Sequence, residues 1–375
     1  MLKHPETILT VARWPVGGIR TYLRDLFAAQ VMQGVKFLLI APNVDRLDLY
    51  VQEGHLAGAE WIACDSSVAA MTRTTVAISR ARHPAFVHTH GFISGGIGAM
   101  SCALARLPHL LTVHDLLLEA QFKGWRGRLR QLLVGASLVS PDLVHCVTRD
   151  SSENLIGAYP WVPHLRRKTE VIAHGVDVAK IAAAAPLDLA AALQLDEETV
   201  LFGFLGRFMA QKGFRTIIDA VKLLQAGGVA PRHLRVLAVG SGGFIREDRA
   251  RVSELNLEDY FTFWPYRPDI VPILKGMHCL LMPSLWEASG LLAMEAMVAG
   301  VPVIGSECLG LRETLANSPA VRVRPNDAVA LRDAMAAFLS HPERAAAGAF
   351  QPEAARRFSS ERAFTQLHEL YQRMP

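Results

Sequence analysis

The chain has 375 residues, 51% hydrophobic and 20% charged, with a net charge of +4. At about 150 residues per domain this length predicts two domains, and the composition excludes intrinsic disorder, which needs low hydrophobicity and high net charge. The cationic excess is small and dispersed; it gives no reason to expect nucleic acid and suits an anionic ligand or an anionic membrane surface. Mean hydropathy is +0.21, but no apolar run, the candidate Leu132–Val139 of 8 residues included, comes near the ~18 that a membrane-spanning helix requires. The first residues, Met1–Glu6, lack a signal-peptide apolar region. Cys64, Cys102, Cys146, Cys279 and Cys308 are widely spaced and show no CxxC pattern; they read as buried thiols in a reducing cytoplasm.

In chain order, short apolar runs alternate with segments of helical period. The expected strands are Thr7–Ala12, Phe37–Ala41, Trp61–Ala63, Phe86–Thr89, Leu110–Val113, Leu143–Val147 and Val171–Ala173, then Val200–Leu205, Arg235–Val239, Phe261–Phe263, Cys279–Met282, Val301–Ile304 and Val321–Val323. Thr21–Gln33, Thr216–Gln225 and Leu291–Val298 carry the 3.6-residue period of helices. Strand–helix alternation with nearly continuous apolar strands predicts an α/β protein whose parallel sheets are covered on both faces. Asp177–Glu198 reads as a linker between two doubly wound, Rossmann-like domains, 1–178 and 179–352, whose strand carboxyl ends face a central cleft. Residues 353–375 read as a terminal helix packing back towards the N-terminal domain.

Three clusters follow strands and precede helices. Gly17 and Gly18, in Trp14-Pro15-Val16-Gly17-Gly18, would let backbone N–H groups approach an anion, although a plain turn also fits. The loop is not GxGxxG, so a dinucleotide fingerprint is absent. Arg207 and Lys212, in Gly206-Arg207-Phe208-Met209-Ala210-Gln211-Lys212-Gly213, are placed to converge on one diphosphate, or else are surface cations of a solvated loop. The third cluster is the most specific. Glu287 lies in a loop, and Glu295 sits inside the otherwise apolar helix Leu291–Val298, which is costly unless the carboxylate binds something. Ribose or hexose hydroxyls are suitable partners; a neighbouring Lys or Arg is the alternative. Ser289, Gly290 and Leu291 offer helix N-terminal amides to a phosphate.

Glu287 to Glu295 resembles the E-x7-E motif of the retaining glycosyltransferases of family 4, which have the GT-B fold. PSLWEASGLLAMEAMVAGVPVIG, GRFMAQKG, the VGSGG turn at Val239–Gly243, AHGVD at Ala173–Asp177 and PVGGIRTYLRDL are similar to that family's motifs, in the same order. The resemblance implies a hexosyltransferase using a nucleotide-diphosphate sugar, UDP- or GDP-linked, with no cofactor and no metal. By position, Arg207 and Lys212 would hold the diphosphate, Glu295 the ribose diol and Glu287 the donor sugar's hydroxyls. Gly17 and Gly18 would close the site, and His114 would lie beside the sugar. Tyr266 and Arg267 would lie near the base. Retention would proceed by the leaving diphosphate taking the acceptor's proton on the same face. Two departures are visible: Ala288-Ser289 replaces Gly-Phe, which leaves the donor sugar open, and His174 replaces an Asn.

The resemblance further implies a saccharide or lipid-linked acceptor, in cell-surface polysaccharide or glycolipid biosynthesis. Residues 121–130, basic with interleaved aromatics, would suit an anionic membrane surface and make the protein peripheral on the inner face of the plasma membrane. Two other readings are weighed. An inactive nucleotide-sugar-binding partner subunit would have lost Glu287, Glu295, Arg207 or Lys212. A metal-dependent hydrolase would gather His88, His90, His114 and Asp115 around zinc.

Overall fold

The computed structural model describes residues 7–342 and 344–375. It divides into two compact units: one runs to Gly175 and takes up again at Ser360–Pro375, the other is Val176–Ser359. In the first, β1 (Thr7–Ala12), β2 (Lys36–Ala41), β3 (Ala59–Ala63), β4 (Phe86–His90), β5 (His109–Val113), β6 (Leu143–Cys146) and β7 (Thr169–Val171) form a parallel sheet in the order β3-β2-β1-β4-β5-β6-β7. In the second, β8 (Val200–Leu205), β9 (Leu234–Val239), β10 (Phe261–Trp264), β11 (Cys279–Met282), β12 (Val303–Ser306) and β13 (Val321–Val323) form a parallel sheet in the order β10-β9-β8-β11-β12-β13. Both are doubly wound, with strand order reversing between β1 and β4 and between β8 and β11. Ligands of such sheets bind outside the strand carboxyl ends at those reversals.

The strands read as apolar runs because both faces are buried. Leu9 and Val11 of β1 pack with Met71 and Ile97 on one face, and Ile8 and Ala12 pack with Leu23, Leu26 and Phe27 on the other. β8 repeats the arrangement, with Leu201 and Leu205 in one core and Val200, Phe202 and Phe204 in the second. Burying these side chains contributes roughly 1.5–3 kcal/mol each and accounts for the high hydropathy. No helix among the described residues is long and apolar enough to cross a membrane.

The structure differs from the sequence reading in places. The last strand of the first sheet lies at Thr169–Val171 rather than Val171–Ala173, and β12 starts at Val303 rather than Val301. Pro302 has no N–H for a ladder and serves only as acceptor, for Leu280 N. The first helix begins earlier, at Gly18, and ends at Ala28, with a separate turn at Gln30–Met32. The linker holds two short helices, Val178–Ala183 and Leu189–Leu193, capped by Asp177 and Asp188. The C-terminal segment is two helices, Ala345–Arg357 and Ser360–Gln372. Only the second belongs to the first unit, so the division falls at 360 rather than 353. Ala354 and Phe358 are buried in the second unit's core, and Gln351 Nε2 donates to Val298 O, which holds the earlier helix there. The expectation for Met1–Glu6 lies outside the described residues.

A buried hydrogen-bond relay ties the terminal helix to the first sheet. His145 Nε2 lies 2.9 Å from Ile172 O, which can only accept, so Nε2 carries the proton. His145 Nδ1 then accepts from Thr112 Oγ1 at 3.0 Å, Thr112 Oγ1 accepts from His88 Nε2 at 2.7 Å, and His88 Nδ1 accepts from Tyr371 Oη at 2.9 Å. The carbonyl at one end sets the direction of every bond, and each imidazole is neutral.

Candidate active site

In the second unit the clusters at the ends of β8 and β11 come together. The loop after β8 turns at Gly213, whose φ is +67°; a Cβ there would lie 2.0 Å from Pro283 O, so only glycine permits the approach. Leu285 N donates to Gln211 O at 2.7 Å, and Gln211 Nε2 donates to Trp286 O at 2.9 Å. These bonds fix Lys212 against the next loop. Its Nζ donates to Glu287 Oε1 at 2.6 Å. Ser284 Oγ donates to the same oxygen at 2.7 Å, while Ser306 Oγ holds Ser284 O. Glu287 is 6% exposed, and Oε2 takes part in neither bond. Gly310, at φ +78°, packs so closely on the other side that a Cβ would lie 2.0 Å from Glu287 O.

The helix Leu291–Val298 starts behind Gly290 with no side-chain cap, which leaves its first amides open to an anion. Ser289 and Gly290 are buried, Leu291 half-buried. Glu295 is half-buried on this helix, among buried Ala293, Met294, Ala296 and Met297, and already interacts with another group. Arg207 is exposed and makes no bond or ion pair with a described residue; its loop is pinned by Phe208 N donating to Ser241 O at 2.8 Å. Tyr266 and Arg267 are exposed after β10, and the Arg267 guanidinium lies 5.9 Å from the Trp264 ring centre. Neither bonds to Lys212, Glu287 or Ser284.

In the first unit Gly17 and Gly18 are exposed at the head of the first helix. Arg20 braces that loop through Nε to Pro15 O and Nη2 to Val44 O. His114 follows β5, and its Nε2 lies 2.9 Å from His90 Nδ1 at the end of β4. Tyr22 packs edge-on against His114 and against His174, which is buried. Burial holds the pKa of His88, His90 and His114 well below the usual value, His145 down to about 4, and His109 and His174 down to about 3.

The zinc cluster weighed from sequence does not assemble. Both nitrogens of His88 are engaged by Tyr371 and Thr112, and His90 faces His114. No group of three His, Cys, Asp or Glu among the described residues is placed to hold a metal ion. Ser284 and Gln211 stand in the site beyond what the sequence reading named, and His90, named there only as a zinc ligand, faces His114 instead. A Ser three residues before a loop carboxylate was the visible signal for Ser284; Gln211 offered none of that strength.

The fold and the strand-end clusters define an α/β protein with sites at two sheet reversals, and comparison with known proteins agrees. Residues 16–180 match the family model described as Glycosyltransferase Family 4, and residues 199–341 that described as Glycosyl transferases group 1. The D-inositol 3-phosphate glycosyltransferase of Jonesia denitrificans is 26% identical over 346 residues, covering 84% of this chain and 80% of that protein. The UDP-Gal:alpha-D-GlcNAc-diphosphoundecaprenol alpha-1,3-galactosyltransferase of Escherichia coli is 29% identical over 233 residues, 60% of this chain and 59% of the relative. The crystal structure of Anabaena Alr3699/HepE in complex with UDP-glucose superimposes with a TM-score of 0.83 at 20% identity, covering 98% of this chain and 99% of that one. The chain belongs to glycosyltransferase family 4 and has the GT-B fold, and it is a glycosyltransferase.

Proposed function

We propose that this chain transfers a hexose, with retention at the anomeric carbon and without a metal, from a nucleotide-diphosphate sugar to a hydroxyl of a saccharide or lipid-linked acceptor. The observation that carries the reading is the Lys212–Glu287–Ser284 arrangement. Both bonds to the carboxylate fall on Oε1, which leaves Oε2 to accept hydroxyls of the donor sugar. Lys212 has two N–H donors left for the diphosphate. Exposed Arg207 supplies a second cation, and the amides at Ser289, Gly290 and Leu291 a helix N-terminus. Together they stabilise charge as the diphosphate leaves. Glu295 takes the ribose diol, exchanging its present partner for it, and Tyr266 and Arg267 flank the base. Gly17, Gly18 and His114 are the first unit's contribution, and that unit binds the acceptor. The donor is UDP- or GDP-linked; UDP-glucose in the HepE structure supports the former. Lys212→Ala should lower kcat by a factor on the order of 10² or more, and an unchanged rate would overturn the assignment. Hydrolysis of donor without acceptor separates an enzyme from an inactive binding subunit.

We also propose that the protein works in cell-surface polysaccharide or glycolipid assembly, peripherally on the inner face of the plasma membrane. The helix Gly124–Ser137 supports this by being inverted. Its small residues Gly127, Gly135 and Ser137 are buried, while Trp125, Leu129, Leu132 and Leu133 are exposed on one stripe, Trp125 by 72%. Arg126, Arg128 and Arg130 flank that stripe, and Lys123 precedes it. An apolar strip bordered by cations matches an anionic bilayer surface. The lipid-linked substrate named for the Escherichia coli relative supports a membrane-borne acceptor.

A further inference from the structure

We infer that His90 is a positioning residue that fixes the tautomer of His114, so that His114 meets its ligand as a neutral hydrogen-bond donor through Nδ1. The inference rests on the reading that His114 serves the donor sugar. His90 Nδ1 and His114 Nε2 are 2.9 Å apart, so one of the two nitrogens carries the shared proton. The other nitrogen of His90, Nε2, is buried and has no partner among the described residues. If His114 donated, His90 Nε2 would have to be an N–H buried without an acceptor. If His90 donates, Nε2 is only an unpaired lone pair. An orphaned interior N–H is the rarer and costlier of the two.

The proton therefore sits on His90 Nδ1, His114 Nε2 accepts it, and His114 carries its own proton on Nδ1. His90 is 3% exposed and is held by strand β4, by the His88 ring 4.2 Å away and by Tyr22 at 5.7 Å. The imidazole pair is thereby locked in one direction and both rings stay uncharged. His114 Nδ1, bonded to no described residue, can donate to a lone pair of a sugar hydroxyl or phosphoryl oxygen. It cannot take a proton. This assigns His114 to binding rather than to general-base work and leaves the leaving diphosphate as the proton acceptor.

The test combines a spectroscopic readout with two variants. In the full chain with 15N-labelled histidine, two-bond proton–nitrogen spectra should show His114 protonated at Nδ1 and bare at Nε2, and His90 likewise. The reverse pattern, or an imidazolium at either ring near pH 7, overturns the inference. In His90→Asn the amide nitrogen stands where Nδ1 was and can donate; it should keep kcat within about 3-fold of the parent. His90→Leu removes the donor; His114 should then redistribute between tautomers, and kcat should fall by about 10-fold or more with the melting temperature little changed. Equal activity in the Asn and Leu variants contradicts a positioning role. His114→Ala is the separate control: full activity there defeats the reading that His114 serves the donor, while the tautomer result stands or falls independently.

Discussion

Lys212 Nζ lies 2.6 Å from Glu287 Oε1 across 75 residues of sequence, bridging the loops that leave β8 and β11. The carboxylate is buried and the ammonium partly so, which makes the pair sensitive to losing either member. Lys212→Met and Glu287→Gln should each destabilise the chain by about 1–3 kcal/mol. The double variant should cost less than the two singles together, with a coupling of about 1 kcal/mol or more. Denaturant unfolding of the four proteins measures this. Strict additivity would mean that the contact has no energetic content.

The buried imidazoles predict how stability depends on pH. His145 titrates at about 4, and His109 and His174 at about 3, in the folded chain, against about 6.5 when unfolded. Between those values the unfolded state binds more protons, so stability is full above pH 6.5 and is lost as pH falls towards 4 and then 3. Each group contributes up to ~1.4 kcal/mol per pH unit, and three together about 4. Melting temperature should therefore drop steeply between pH 6.5 and 5. A flat profile over that range would contradict neutral burial.

The relay from Tyr371 to Ile172 makes a local prediction. Tyr371→Phe keeps the ring packing against Phe86 but leaves His88 Nδ1 without its donor, a cost of about 1–3 kcal/mol. Hydrogen exchange should quicken in the helix Ser360–Gln372 while the amides of β8 and β9 keep their protection. Equal exchange in parent and variant would show that packing alone holds the helix.

The inverted helix predicts membrane binding. Co-sedimentation with vesicles rich in anionic phospholipid should be strong at low salt and weaken as salt rises. Changing Lys123, Arg126, Arg128 and Arg130 to Glu removes about 1 kcal/mol of attraction per cation and adds repulsion, so binding should fall by at least about 100-fold. Trp125→Ser should weaken binding at all salt concentrations. Undiminished sedimentation of the charge-reversed chain would remove the membrane assignment.

Much of the fold was legible because both sheets bury both faces. β1, β8 and β11 coincide with the expected strands, since each is largely apolar and buried, and β13 coincides although Arg322 interrupts it and only Val323 is buried. β7 was misplaced by two residues because it is short and none of its side chains is buried. Arg207, Lys212, Glu287 and Glu295 stood out as residue types in a pattern, but the pattern could not show that Lys212 and Glu287 pair. The histidine relay was beyond sequence reading, since Tyr371 and His88 lie 283 residues apart. The zinc reading failed for the same reason: adjacent histidines show proximity, while what their nitrogens bond is set by distant residues. At Gly124–Ser137 the basic, aromatic composition was visible, and only the structure reveals that the apolar stripe faces away from the core.

The proposed diphosphate-sugar site around Lys212 and Glu287 is open to a thermal-shift experiment with UDP-, GDP- and ADP-sugars on the parent and on Lys212→Ala. Ligands that bind the folded state raise the melting temperature by mass action. One nucleotide sugar should stabilise the parent clearly and fail to stabilise the variant. No stabilisation by any of them, or an equal shift in both proteins, would mean that Lys212 does not hold a nucleotide-sugar donor.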